Sequence, residues 1–551
     1  MPIIQHRHIY EGLTRWNYFP NQKAPVGELP PSVSTRQFTP EVAELVASCE
    51  EPRGRRGFRY DDVSYLMTRH NNVPRELALI HPRPYARLAS KIWEHWDELG
   101  ALTDSENSAI KPELHQDGRM FIMNYEDAQT RTATALETSF AKRFRVETDI
   151  AGCFHSIYSH SIPWATVGFE IEKARVRDNG RPHWSNELDS LQMAARRGET
   201  VGLAIGPGTS SILVELILGR VDDKLRQAGF VFRRYIDDYI GYCETHEKAN
   251  EFLTILGTEL AAYRLRLNLQ KTTIVALPEP LVEPWVVALG SELNSRVARS
   301  DDGTTRMFIS DAIQYLDFAT RLNNETRDGS VLKYAVGSLL PHLDDDGLSS
   351  VANYLINLSW HYPALLPYLE FLVQDEREFL APYSEHISAI IIENAKHRRS
   401  DGMAWPLHLA KRANIQLNPE AIASIIASRD CVACALLFEL HQADDAVIGL
   451  AREILNSGHH ERDQQWLLIY QLYYHDVLQR PDDELSFDIL RQHNVNFIPT
   501  DSKSTDAEDY CQYIDNPFRD DIEPILTLPE WVAERNQQNA AHAHARDPLQ
   551  E

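Results

Sequence analysis

The chain has 551 residues, of which 43% are hydrophobic and 25% charged, the balance of a folded globular protein and not of a disordered one. At roughly 150 residues per domain, this length predicts about three structural units. The formal net charge of −25 argues against a surface that coats nucleic acid, but most of this charge follows residue 300, so the first 300 residues are near balance and could still form a basic channel.

Membrane and redox features are weak in this sequence. No stretch reaches the roughly 18 consecutive apolar residues of a membrane helix, and the opening MPIIQHRHIYEG lacks the pattern of a secretory signal. We therefore predict a cytoplasmic protein without a membrane partner. Cys431 and Cys434 lie in an apolar helical run with no second pair to complete a zinc site, so we predict buried, reduced core cysteines.

The pattern along the chain predicts four segments. Residues 1–60 are rich in proline and loop signals and are predicted as an N-terminal extension. Residues 61–300 alternate strand and helix patterns. Residues 301–500 contain successive short helical patterns separated by Pro, Asp and Gly, which suits stacked helical hairpins of the repeat type, with an irregular bundle as the alternative. Residues 501–551 are predicted as a polar tail.

Residues 61–300 have the pattern of an α+β fold, because strands with antiparallel pairing alternate with amphipathic helices. The predicted strands are 74–82, 145–150, 230–236 and 239–242, and the predicted helices are 84–99, 210–225 and 248–263.

Three acidic residues stand where predicted strands end. Asp149 ends an apolar strand in TDIAGCF, and Asp237 and Asp238 lie between two strands in YIDDYIGY. Taken alone, an Asp-Asp pair is a good hairpin turn and Asp149 a good helix N-cap. Taken together, carboxylates on adjacent strand ends form a frame rigid enough to hold two divalent cations, as nucleotidyl transfer requires.

Four motifs in the order of a polymerase palm strengthen that interpretation. Tyr235–Asp238 (YIDD) resembles the YxDD box of reverse transcriptases, and Asp149 followed by Phe154 resembles their motif A. Gly202–Ser210 (GLAIGPGTS) resembles motif B, and Leu265–Thr272 (LRLNLQKT) resembles motif D. The resemblance implies an α+β right-hand-type polymerase, with fingers and palm, followed by an all-α helical-repeat-like C-terminal domain.

The resemblance also implies a metal site. Asp149 and Asp237 would bridge two Mg²⁺ ions, for which Mn²⁺ can substitute, and the carbonyl of Ile150 would add a ligand. Asp238 would tune the charge of the site or contact a metal indirectly.

Nucleotide contacts are implied at six further positions. Phe154 would lie beneath the incoming sugar and select deoxynucleotides by excluding a 2′-hydroxyl, unless it is a core aromatic. Lys271 would approach the phosphates or protonate pyrophosphate, unless it is a surface lysine. Arg69 and Arg75 would grip the triphosphate, since arginine suits bidentate phosphate contacts, unless they only form an exposed fingers surface. Gly206 and Ser210 would let the backbone pass close to the nascent base pair.

The flanking segments narrow the resemblance. TRWNYFPNQK near the N-terminus, YSHSIPWA after motif A, and the helical C-terminal half resemble bacterial defence-associated and abortive-infection reverse transcriptases. That resemblance implies antiphage defence by DNA synthesis from dNTPs and a homo-oligomer. It leaves open an RNA template or noncoding RNA, a partner defence protein, and untemplated or protein-primed synthesis.

Two departures keep other functions open. Ile205 stands where motif B ordinarily carries glutamine, which predicts unusual template reading. The large acidic helical half would also suit a helical scaffold whose reverse-transcriptase-like palm only binds nucleotide or RNA and is catalytically weak. An ATPase is not indicated, because no G-x-x-x-x-G-K-[ST] loop is present.

Overall fold

A computed structural model describes residues 6–499 apart from 21–26, 52–54, 56–58, 70–71, 114, 116–117, 122–127, 179, 300–304, 327–329 and 374–377. The predicted polar tail therefore lies outside the described residues. No described helix has both the length and the apolar content to cross a membrane.

The first part of the fold is an antiparallel hairpin packed against helices. Strand β1 (Val63–Thr68) pairs with β2 (Pro74–Leu79), in the register Val63↔Leu79. The predicted strand 74–82 stops at Leu79 because Pro82 opens the next helix, where a missing N–H costs nothing. The predicted helix 84–99 is two helices that meet at His95. The helices of this part are α1 (Arg7–Glu11), α2 (Pro40–Ser48), α3 (Pro82–Glu94), α4 (Trp96–Thr103) and α5 (Ala128–Ser139).

A four-stranded antiparallel sheet follows, in the order β4-β5-β3-β6. Its strands are β3 (Phe144–Asp149), β4 (Val231–Tyr235), β5 (Asp238–Cys243) and β6 (Thr273–Ala276). The buried and exposed residues of β4 alternate, as expected of a strand with one face on a core. The helices around this sheet are α6 (Cys153–Ser156), α7 (Ser161–Val167), α8 (Phe169–Arg177), α9 (Trp184–Ala194), α10 (Gly208–Gln227), α11 (His246–Ala262) and α12 (Pro284–Arg296).

The central strand and the long helix place the site. β3 pairs with β5 on one side and β6 on the other, so its carboxyl end lies in the middle of the sheet. Helix α10 is twenty residues long and buries most of its length beneath the sheet, which makes it a rigid support. The predicted boundary at residue 300 lies outside the described residues. On either side of it, β7 (Val297–Arg299) pairs with β8 (Thr305–Met307).

The rest of the described chain is helical. Its helices are α13 (Ile309–Glu325), α14 (Ser330–Leu339), α15 (Asp345–His361), α16 (Ser384–Lys396), α17 (Asp401–Arg412), α18 (Pro419–Ser428), α19 (Cys431–Glu439), α20 (Asp444–Leu455), α21 (His459–Asp463), α22 (Trp466–Tyr474) and α23 (Leu485–Gln492), with short 3₁₀ turns at Leu340–His342, Pro363–Leu372 and Ala381–Tyr383. Cys431 and Cys434 are buried free thiols, as predicted. The repeat-like arrangement of these helices stays a prediction.

The helical half is fastened to the first hairpin. The Ser400 N–H donates to the Leu66 carbonyl of β1, and the Ser400 hydroxyl accepts a hydrogen bond from the Leu66 N–H, each at 2.9 Å. Asp401 accepts hydrogen bonds from the N–H and the hydroxyl of Thr68, each at 2.8 Å. Helix α17 therefore satisfies part of the β1 edge, which would otherwise be open to pairing with another chain.

The N-terminal residues join both halves. Tyr18 is fully buried and stacks on Tyr85 of α3 with ring centroids 3.9 Å apart, and it also meets Phe497 edge-on. Arg55 is buried and pairs with Asp463 and Glu484 of the helical half. The predicted extension is thus part of the hydrophobic core, although its proline-rich pattern resembled a loop.

Candidate functional site

The three predicted acidic residues meet at the ends of β3 and β5. Asp149, the last residue of β3, lies opposite Asp238, the first residue of β5. The Asp237 carbonyl accepts a hydrogen bond from Ile150 N–H at 3.1 Å, which locks the turn against the end of β3. The two-residue turn is Ile236-Asp237, so Asp238 belongs to the strand and not to the turn.

Asp149 is buried and only half satisfied. Its side chain is 6% exposed, and Oδ2 lies 2.6 Å from Lys271 Nζ. Its Oδ1 is enclosed, with no hydrogen-bond partner among the described residues. The backbone around it is held as well, because the Asp149 carbonyl accepts a hydrogen bond from Asn268 N–H at 2.8 Å. The segment that resembled motif D therefore closes over the end of β3.

Negative charge is concentrated at this point. Burial raises the pKa of Asp237, and the neighbouring charge of Asp149 raises it further. Asp238 keeps part of its side chain in solvent, yet partial burial and the charge of Asp237 raise its pKa to about 6. The hydrogen bond with Asp149 raises the pKa of Lys271. Carboxylates whose ionised forms are disfavoured in this way gain from a nearby cation.

The carboxylates of this site supply only part of the ligand set that a divalent cation requires. Asp149 and Asp237 offer oxygen ligands, which Mg²⁺ prefers, and the unpartnered Asp149 Oδ1 is the kind of buried atom a cation would satisfy. Within the described residues, however, no three His, Cys, Asp or Glu side chains come together as a metal-holding group. The site therefore offers two converging carboxylates, with Asp238 beside them.

The two predicted arginines lie on the β1–β2 hairpin. Arg69 is exposed just beyond β1, and Arg75 is partly buried in β2. Burial lowers the pKa of Arg75 and the charge of Arg69 lowers it further, while Asp237 opposes both. Arg75 Nε is enclosed and lacks a hydrogen-bond partner among the described residues. The hairpin thus brings positive charge within electrostatic range of the carboxylates.

Phe154 lies beside the acidic turn. It follows Gly152, whose φ of +56° turns the chain from β3 into α6. Its ring is 9% exposed and lines a cavity of about 10 Å³ together with Ile236. Ile236 itself has a φ of +59°, a conformation that costs a β-branched residue energy and that clusters at functional sites.

Two predicted contact residues face the protein interior. Gly206 has a φ of +119°, and a Cβ added there would lie 2.3 Å from Pro20 Cβ, so its close approach is to the N-terminal segment. Ser210 is fully buried in α10 with its hydroxyl enclosed. The predicted roles of Gly206 and Ser210 beside a nascent base pair stay predictions. Ile205, in the same segment, is tied through its carbonyl to Ala78 N–H of β2 at 3.0 Å.

A buried cluster of charged side chains lies beneath the acidic turn, and the sequence analysis did not predict it. Arg234 is fully buried, and its guanidinium donates to both oxygens of Glu215 (2.8 and 2.9 Å) and to Asp222 at 2.8 Å. It also donates to the Ile236 carbonyl at 2.9 Å, in the acidic turn itself. Tyr239 completes the cluster with a hydrogen bond to Asp222 at 3.0 Å. Two acidic residues seven apart on the apolar face of α10 were the available signal.

Comparison with known families agrees with this site. Residues 106–318 match the family described as "Reverse transcriptase (RNA-dependent DNA polymerase)". The chain therefore contains a reverse transcriptase domain, the domain class of RNA-dependent DNA polymerases. The match includes both strands that carry the acidic residues, the glycine-rich segment and the helix α10. None of the curated proteins matches the chain significantly.

Similar solved structures include telomerases. Telomerase from Candida albicans in complex with a TWJ fragment of telomeric RNA is 11% identical, with 63% of this chain and 65% of that chain covered and a TM-score of 0.28. Telomerase from Candida tropicalis matches with the same kind of RNA fragment (11% identity, 76% and 68% coverage, TM-score 0.29) and in its apo form (11%, 73% and 69%, 0.28). The chain thus spans about two thirds of these proteins.

Proposed function

We propose that the protein is a DNA polymerase of the reverse transcriptase type, which joins dNTPs by two-metal nucleotidyl transfer and acts in antiphage defence. The observation that carries the proposal is the pairing of Asp149 with the Asp237-Asp238 turn inside a reverse transcriptase domain. Backbone hydrogen bonds hold the Asp237 turn and the Asn268 segment against the end of β3, next to Asp149. Such rigidity is what a metal-dependent centre requires.

Asp149 and Asp237 would hold two Mg²⁺ or Mn²⁺ ions, which would supply activation of the attacking 3′-oxygen and stabilisation of the departing pyrophosphate. The enclosed Asp149 Oδ1 supports its role as a ligand. Asp238, whose side chain is partly in solvent, would add negative charge beside the ligands. The Ile150 carbonyl stays a proposed ligand on the strength of its position next to Asp149.

Basic residues from two sides would bind the triphosphate. Arg75 and Arg69 come from the β1–β2 hairpin, and Arg75 is already coupled to the charge of Asp237. Lys271 comes from the opposite side, and its side chain is 65% exposed although its ammonium bonds to Asp149. Because the side chain is this exposed, its ammonium can leave Asp149 and bind a phosphate oxygen instead. Its proton could then pass to the pyrophosphate as it leaves.

Phe154 would select the sugar. Its ring lines the same small cavity as Ile236 of the acidic turn, so a nucleotide bound at the carboxylates would lie close to it. The backbone of Phe154 is held in place, because its carbonyl accepts a hydrogen bond from Leu203 N–H at 2.8 Å, and its ring is buried. A rigid aromatic ring at this place would clash with a 2′-hydroxyl and admit a 2′-hydrogen.

The role in antiphage defence is supported by the flanking segments that resemble defence-associated reverse transcriptases. The same resemblance supports a homo-oligomer, an RNA template or noncoding RNA, and a partner defence protein. Untemplated or protein-primed synthesis belongs to the same proposal. The glycine-rich segment favours an unusual template contact, since Ile205 replaces an amide side chain and its carbonyl is engaged by β2.

The test is incorporation of each labelled dNTP by the purified full-length protein with Mg²⁺ or Mn²⁺. The reaction is run with and without nuclease treatment of co-purifying nucleic acid, and with and without an added RNA template. Asp237→Asn should reduce incorporation by about a thousandfold or more, because it removes a metal ligand worth several kcal/mol in the transition state. Asp445→Asn, at an exposed position of α20, is the matched control and should retain full activity.

Each result has a defined meaning. Synthesis by the wild type that survives nuclease treatment indicates untemplated or protein-primed chemistry, and synthesis restored only by RNA indicates templated chemistry. Retained incorporation in Asp237→Asn would refute the proposal. Phage plating with the same variants tests defence separately, because a polymerase that does not protect cells keeps its activity in the first assay.

The alternative is a helical scaffold with a catalytically weak palm. One observation favours it: the described acidic residues form no three-membered metal group. A scaffold would bind nucleotide or RNA in both the wild type and Asp237→Asn, with no incorporation under any condition. Phage protection by Asp237→Asn at the wild-type level would be its second signature.

A further inference from the structure

A second cavity, of about 290 Å³, lies between the first hairpin's helices and α9. Its volume is at the lower end of the range for small-molecule sites. None of its lining residues belongs to the carboxylate site. It is lined mainly by Arg59, Tyr60, Arg83, Arg87, Leu191 and Ala194.

Three guanidinium groups make this cavity basic. Arg83 and Arg87 lie one turn apart at the beginning of α3, and Arg59 precedes β1. Arg83 is 1% exposed, which is unusual for an arginine without an acidic partner. Among the residues that the structure describes, no carboxylate lies within salt-bridge distance of Arg59, Arg83 or Arg87. Glu51 is the one acidic residue in the lining, and it is exposed.

Two of the arginines are held in place before any ligand binds. Arg83 donates through Nη2 to the Cys49 carbonyl at 2.7 Å, and Arg87 donates through Nε to the Ala47 carbonyl at 3.1 Å. Both acceptors lie at the end of α2. Arg83 Nε is enclosed and has no hydrogen-bond partner among the described residues. An unused buried donor is costly unless something binds it.

We propose that this cavity binds a phosphate group. Three arginines against one carboxylate leave a net positive site, and arginine forks match phosphate oxygens with two parallel hydrogen bonds. The N-terminus of α3 adds the favourable dipole of a thirteen-residue helix. The anchored guanidiniums lose little freedom when the anion arrives, which favours binding.

A nucleotide and a nucleic-acid strand would both offer such a phosphate group to the cavity. Tyr60 forms one wall of the cavity, and Arg55 lies 4.3 Å from the centre of its ring. Arg55 is itself paired with Asp463 and Glu484 of the helical half. A bound phosphate would therefore be next to the contact that fastens the helical half to the rest of the protein. The site does not depend on the polymerase proposal.

The test measures binding without catalysis. Full-length protein is titrated with inorganic tripolyphosphate in isothermal titration calorimetry, and with a labelled 20-nucleotide single strand in fluorescence anisotropy, both in EDTA so that metal-dependent binding at the carboxylates is suppressed. Arg59→Gln/Arg87→Gln should weaken tripolyphosphate binding about tenfold or more, since one charge-assisted contact is worth roughly that factor. Arg452→Gln, at an exposed arginine of α20, is the control and should change nothing.

The outcomes separate the sources. Loss of both probes in the double variant assigns the site to a nucleic-acid strand, and loss of tripolyphosphate alone assigns it to a nucleotide-sized ligand. Arg59→Gln alone, at an exposed side chain, keeps the test valid if the double variant does not fold, and it should weaken tripolyphosphate binding severalfold. No binding by the wild type, unchanged binding in the variants, or an equal loss in Arg452→Gln would overturn the proposal. None of these results bears on dNTP incorporation by the Asp237 site.

Discussion

The buried arginine beneath the acidic turn gives the sharpest structural prediction. Arg234→Met keeps similar side-chain volume but removes the charge that compensates Glu215 and Asp222, both of them buried in α10. It also removes the donor to the Ile236 carbonyl. Breaking a buried ion cluster from one side costs about 3–5 kcal/mol, because it leaves uncompensated buried charge.

The magnitude can be traced to the contacts. Arg234 makes two hydrogen bonds to Glu215 and further ones to Asp222, all between 2.8 and 3.1 Å. Burial already raises the pKa of Glu215, and the charge of Arg234 opposes that rise. Without Arg234, Glu215 would take up a proton or draw in water, and either would loosen the β4–β5 hairpin.

Hydrogen exchange measured by mass spectrometry is the suitable assay, because it reports the opening of the β4–β5 hairpin itself. Peptides covering β4 and β5 should exchange about two to four orders of magnitude faster in Arg234→Met, as 3–5 kcal/mol requires. Arg452→Met, at an exposed site, is the matched control. An increase of less than about fivefold in the hairpin peptides would refute the reasoning, as would an equal increase in peptides far from α10.

Three other predictions follow from single contacts. Gly206→Ala should destabilise the protein by at least about 1–3 kcal/mol, since it combines a positive φ with a collision against Pro20. Its control Gly449→Ala, in an open stretch of helix α20, should be neutral or stabilise the protein by up to about 1 kcal/mol, and thermal melts of the two variants measure the difference. Burial alone would raise the pKa of Glu484, but His81 and Arg55 hold it at about 2 against an ordinary value of 4.5, so the ionised Glu484 should add about 3 kcal/mol to the free energy of unfolding above pH 4.5, and this contribution should disappear as the pH falls towards 2. In urea melts between pH 2 and 6, the free energy of unfolding of Glu484→Gln should therefore depend less on pH than that of the wild type, and an equal dependence would contradict the assignment. Phe154→Val should raise the incorporation of ribonucleotides relative to deoxynucleotides by tenfold or more, and a ratio equal to that of the wild type would remove Phe154 from sugar selection.

Local patterns predicted the elements of the site well. Apolar alternation on either side of Asp237-Asp238 predicted a hairpin, and the structure forms it with the turn one residue earlier, at Ile236-Asp237. The long helix after the glycine-rich segment was also predicted, and it begins two residues before its predicted start because Gly208 is already helical. These features depend on neighbours in the sequence, which periodicity detects.

Contacts between distant residues were not predicted. The proline-rich N-terminal segment gave no sign that Tyr18 would stack on Tyr85 or meet Phe497, because these partners are far apart in the chain. The burial of Ser210 was not predicted either, because the tertiary packing of α10 sets it. The Arg234 cluster was not predicted for the same reason, since Glu215 and Asp222 are recognisable as its partners only once the β4–β5 hairpin lies on α10.

We expect Asp149 and Asp237 to act together as one metal-binding unit. The most direct test is single-turnover dNTP incorporation with saturating Mn²⁺ by Asp149→Asn, Asp237→Asn and the double variant. Because residues that hold the same ions are not additive, each single variant should lose about as much rate as the double variant, roughly a thousandfold or more. Independent losses that multiply in the double variant, or substantial incorporation by either single variant, would contradict the account.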